Sequence, residues 1–180
     1  NTVVNQCDSI FNSPKGLGLI DFNTTTQTVY SGTSSSSYNV LIRSNSSSEA
    51  IFAGGFCTSG VAQITTNLSY AASPELLALY DEENDLRYSS GKNSYFFQYN
   101  NGYYASHRLV GASKLPGNSL VFSEVYLNKA EALALLGRES EAISTLQDMR
   151  GKRMSDAGTI NETGEGLIKF TRNERRRELC

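Results

Sequence analysis

The 180-residue sequence has no tryptophan, one histidine, two methionines, three prolines and three cysteines. With His107 alone, no metal centre can be built on several imidazoles, and a serine-hydrolase triad would have to draw on that one residue. Cys7, Cys57 and Cys180 are odd in number and far apart, so they offer neither a disulfide framework nor a CxxC metal site. The formal net charge of -2 and a pI near 5.5 give a nucleic-acid backbone or an anionic lipid surface nothing to hold. No apolar run reaches the roughly 20 residues that cross a bilayer, and the N-terminal residues lack the basic and apolar regions of a signal peptide. What is present, at 39% apolar content, is enough chain to bury a core within one domain.

Val3, Val4, Cys7, Ile10 and Phe11 recur at 3.6-residue spacing, which predicts an amphipathic helix already under way at residue 2 or 3. At the other end, Leu167, Ile168 and Phe170 lead into Arg172 to Cys180, strong helix formers with no glycine, proline or other stop signal. Both patterns break off in mid-course, and the expectation is a segment of a longer polypeptide. Between them, nine of the eighteen residues 31–48 are serine, which excludes a helix there and leaves loop with short strands at Tyr38 to Arg43 and Ala50 to Ala53. Ser73-Pro74-Glu75 starts a short helix, with serine at the N-cap, proline at the first helical position and glutamate at the positive end of the dipole.

Residues 94–108 read as a β-hairpin around Asn100, Asn101 and Gly102. With Asn101-Gly102 as the turn, Tyr99 faces Tyr104, Phe97 faces Ser106 and Tyr95 faces Arg108. The clearest helical pattern follows. Phe122, Val125, Tyr126, Ala130, Leu133 and Leu136 form one apolar stripe, Gly137 closes it at a C-cap, and a second helix from about Glu139 carries Ala142, Ile143, Leu146 and Met149. Leu136-Gly137-Arg138 followed by Glu141-Ala142-Ile143 is similar to the turn of a tetratricopeptide unit, without a second copy at that period.

The stretch Ser123-Glu124-Val125-Tyr126-Leu127-Asn128-Lys129-Ala130-Glu131-Ala132, with Leu136-Gly137-Arg138 behind it, resembles the signature helix of the SusD/RagB family. Glu174-Arg175-Arg176-Arg177-Glu178-Leu179 is similar to another segment of that family. So are Ser73 to Leu77, continuing through Tyr80-Asp81 to Asp85-Leu86-Arg87, and Ser48-Glu49-Ala50-Ile51-Phe52. One departure is Val121, where the family usually has an arginine three residues before the glutamate at Glu124. The resemblance implies a mainly α fold, a tetratricopeptide-like helical-hairpin scaffold with long irregular loops and a small β-hairpin. Residues 1–12 would be the end of a helix, 13–119 a loop-rich excursion and 120–180 the C-terminal helices.

It also implies a lipid-anchored protein of the bacterial outer membrane, exposed at the cell surface. Such a protein binds an oligosaccharide or other nutrient and hands it to a SusC-like TonB-dependent transporter, with no enzymatic step and no cofactor. The lipid anchor itself would lie outside this piece. The rival expectation is a helical-repeat module for protein–protein contact without a small ligand.

The residues themselves give little purchase for catalysis. Glu124 and Glu131 share a helix face about 10 Å apart along the axis, whereas paired glycosidase acids flank a cleft, usually from different elements. Asp81, Glu83 and Asp85 imitate the opening of a calcium loop, but Leu86 stands where an EF-hand needs glycine, so a solvated acidic helix end is expected. The best claim to binding belongs to the aromatic hairpin. A pyranose ring stacks its C–H face on tyrosine while amide and guanidinium groups meet its hydroxyls. Tyr99, Tyr103, Tyr104, Asn101 and Arg108 are the candidate ligand-binding residues.

Overall fold

The computed structural model describes residues 1–24, 48–54, 72–88, 96–99, 102–105 and 118–179. In chain order the described elements are α1 (Thr2–Phe11), β1 (Ala50–Gly54), α2 (Pro74–Leu77), β2 (Phe96–Tyr99), β3 (Gly102–Ala105), β4 (Asn118–Val121), α3 (Phe122–Leu135), α4 (Glu139–Arg150) and α5 (Gly164–Leu179). The expected strand at Tyr38 to Arg43 falls outside the described residues. The fold is mainly helical, with two small antiparallel pairs, β1 with β4 and β2 with β3.

Helix α3 is the centre of the molecule, flanked by α1, α4 and α5. That arrangement explains why its buried surface is wider than a single stripe. Leu127, Ala130 and Leu133 are fully buried with Val4 of α1, Ala142, Leu146 and Met149 of α4, Ile160, and Leu167 of α5. Each large aliphatic side chain removed from water there contributes about 1.5–3 kcal/mol. A second cluster seats Cys7, Phe122 and Val125, with Phe11 edge-on to Phe122 at 5.3 Å and against Tyr126 at 4.6 Å. Leu136, placed in the apolar stripe by spacing, is 47% exposed. The helix has ended by then, and the chain turns away before its side chain can reach the core.

The α3–α4 turn is a Schellman motif. Gly137 adopts φ +73°, its N–H donates to Ala134 O at 3.0 Å, and the Arg138 N–H donates to Leu133 O at 2.9 Å, satisfying two orphan carbonyls. Ser73 caps α2 as its sequence requires, its hydroxyl accepting from the Leu76 N–H at 3.2 Å. The predicted strand at residues 50–53 exists as β1, and its partner is the distant β4. The register, Ala50 with Val121, Phe52 with Leu120 and Ala53 with Ser119, is interrupted by a bulge between Ala50 and Phe52.

The hairpin is present with a corrected register. Tyr99 pairs with Gly102, Gln98 with Tyr103, Phe97 with Tyr104 and Phe96 with Ala105. Tyr99 therefore does not face Tyr104, and the two residues between the strands are Asn100 and Asn101 rather than Asn101 and Gly102. Asparagine tolerates left-handed backbone better than other residues with a side chain, though less well than glycine, so Asn-Asn is an acceptable alternative to Asn-Gly in sequence.

Candidate functional site

The densest chemistry among the described residues is a buried cluster of ions between α5, the end of α4 and two excursion segments. Helix α5 places Glu174 and Glu178 one turn apart on its inner face, with Arg177 beside them. Arg150 ends α4, and the turn after it brings Arg153 inward. Asp85 and Arg87 come from the segment after α2, and an antiparallel bridge between Asp85 and Met154 fixes that segment, with the Leu86 N–H donating to Arg153 O at 3.0 Å. Glu49 comes from the residue before β1.

Two arginines organise the cluster. Arg87 reaches Asp85 through Nε at 2.9 Å and Nη2 at 2.7 Å, Glu174 through Nη2 at 2.8 Å and Glu178 through Nη1 at 3.0 Å. Arg153 donates from Nε to Glu178 Oε1 at 3.0 Å, from Nη2 to Glu49 Oε1 at 2.7 Å and from Nη1 to Ile20 O at 2.6 Å. The face of its guanidinium lies 4.4 Å from the centre of the Phe22 ring. Glu49 Oε1 also accepts the Ile20 N–H at 2.6 Å. Glu174 Oε2 takes Arg150 Nη1 at 2.7 Å and Arg177 Nε at 3.1 Å. Arg177 Nη1 donates to Leu79 O at 2.7 Å, and the Tyr80 hydroxyl donates to Arg177 O at 2.6 Å.

Four carboxylates thus meet four guanidiniums, so the charges balance. Burial works against ionisation of Glu174, but Arg87, Arg177 and Arg150 outweigh it and hold its carboxyl well below the usual carboxylate range. Glu178 is lowered in the same way, burial being overcome by Arg153 and Arg87. Glu49 goes the other way: burial, with Glu178 nearby, outweighs its share of Arg153 and raises it. Arg87 is raised well above its ordinary value, the nearby carboxylates overcoming its desolvation, and stays charged. Opposite charge thus favours the ionised form of Glu174 and Glu178 against their burial. The cluster is a clamp.

Asp85 corrects one expectation. It is not part of a solvated acidic end but a buried partner of Arg87, while Asp81 instead closes its own turn, Oδ1 accepting from the Glu83 N–H at 3.0 Å and the Asn84 N–H at 3.1 Å. Among the described residues no group of three or more His, Cys, Asp or Glu side chains could hold a metal ion. Glu131 accepts from Arg172 at 3.0 Å and Arg175 at 3.1 Å, joining α3 to α5 at the surface.

Of the sugar-binding candidates, Tyr99 lies on β2 and Tyr103 and Tyr104 on β3, so the ribbon brings the three tyrosines within two residue pairs of one another. Asn101 and Arg108 fall outside the described residues.

A family model described as the SusD family matches residues 83–180, more than half of the chain. The chain belongs to the SusD family. A crystal structure of a SusD homolog from Bacteroides thetaiotaomicron shares the fold with a TM-score of 0.59 at 20% identity, the match covering 99% of this chain and 42% of that one. The chain therefore spans less than half the length of that homolog. No curated protein matches it by sequence.

Three of the four segments that resemble the SusD family meet at the ion cluster: Ser48 to Phe52 supplies Glu49, Ser73 to Arg87 supplies Asp85 and Arg87, and Glu174 to Leu179 supplies Glu174, Arg177 and Glu178. The fourth, from Ser123, supplies Leu127, Ala130 and Leu133 to the core of this SusD-family chain. Arg150 and Arg153 were missed by sequence reasoning. The available signal was two arginines three apart between Met149 and Met154, cations where an apolar pattern continues on either side. Among the described residues no helix is long and apolar enough to cross a membrane.

Proposed function

We propose that the chain is part of a non-catalytic binding protein at the bacterial cell surface that captures a glycan or other nutrient. Membership of the SusD family carries this reading. In this proposal the parent protein is held at the outer membrane by a lipid anchor, and it delivers its cargo to a SusC-like TonB-dependent transporter. The scaffold makes no chemical step of its own. The locked state of Glu174 and Glu178 supports that view, because the most conspicuous carboxylates here are held by guanidiniums.

The proposed ligand surface is the β2–β3 hairpin with Tyr99, Tyr103, Tyr104 and Asn101, together with Arg108. Tyrosine rings would stack on sugar C–H faces while the amide and guanidinium receive hydroxyls. Affinity electrophoresis of the full-length protein against soluble starch, a β-glucan, a fructan and a casein hydrolysate tests the reading, alongside co-purification of a transporter. Retention by at least one probe that weakens on replacing Tyr103 and Tyr104 with alanine is expected. No retention, with no transporter recovered, would sink the proposal.

A further inference from the structure

We draw no further inference here: the strongest candidate, the apolar surface patch that the cross-strand partners Phe52 and Leu120 form on the β1–β4 pair, 61% and 54% exposed, carries none because nothing among the described residues shows what covers it.

Discussion

Replacing Glu174 by glutamine removes one negative charge from a site where it is fully buried and touched by three arginines, Arg177 at 2.5 Å, Arg150 at 2.7 Å and Arg87 at 2.8 Å. Glutamine preserves the shape but turns one acceptor into a donor facing guanidinium donors, and it leaves the cluster with an excess positive charge. Breaking a buried pair by removing one partner costs about 3–5 kcal/mol, a large part of the roughly 5–15 kcal/mol of a folded domain. Glu131→Gln is the control. It breaks pairs to side chains that are 60% and 27% exposed, where each pair contributes about 0.2–1 kcal/mol.

Urea denaturation at pH 7, followed by far-ultraviolet circular dichroism, should separate the two variants by several kcal/mol. Acid adds a second test. Despite its burial, the Glu174 carboxyl is held by arginines well below its ordinary 4.5, so as pH falls through that value the unfolded chain takes up a proton before the folded one does. The stability it contributes is complete above the unfolded value and is lost as pH drops toward the folded one, at about 1.4 kcal/mol per pH unit. The variant lacks this contribution and should lose stability less steeply below pH 4.5. Equal losses for Glu174→Gln and Glu131→Gln at pH 7, or acid slopes identical to wild type, would refute the account of the cluster.

Other outcomes follow from the packing. Leu127→Ala empties a fully buried site between three helices and should cost about 2–5 kcal/mol in the same denaturation assay. Gly137→Ala forces a side chain into left-handed backbone at φ +73° with no neighbour within 4 Å to clash, so the cost should be the conformational one of about 1–2 kcal/mol, read as a lowered melting temperature. Cys7 is buried, and burial, reinforced by Asp8, pushes its thiol up, so in the folded state it should react with a thiol reagent only on the timescale of unfolding.

Local signals carried much of this fold. The stripe from Phe122 to Leu133, the glycine at 137 and the Ser73-Pro74 cap each act within a few residues of where they stand, and each element formed where its spacing required. What spacing could not supply was partnership. Leu127 lies off the stripe because a helix flanked on three sides is buried on three sides, which no single-face pattern expresses. Asp85 looks like a solvated acid until Arg87 and a segment from beyond α4 close over it. The hairpin register turned on a choice between two adjacent turns, Asn100-Asn101 and Asn101-Gly102, both chemically acceptable. The binding candidates were legible only as a composition, aromatic rings interleaved with amides; the ion cluster was visible in fragments, Glu49, Asp85, Arg87 and the run from Glu174, without any sign that they converge.

The bonds of the cluster also set an order of events during folding. Arg153 and Glu49 are 104 residues apart, Tyr80 and Arg177 97, and Arg87 and Glu178 91, whereas α3 and α4 meet across a turn of a few residues. Closing such long loops is slow because their entropy must be lost before the contact rewards it. The helical hairpin should therefore assemble early and the ions lock late, after the transition state. Glu174→Gln should then accelerate unfolding while leaving the refolding rate nearly unchanged, which makes the cluster a determinant of how long the native state lasts rather than how fast it is found.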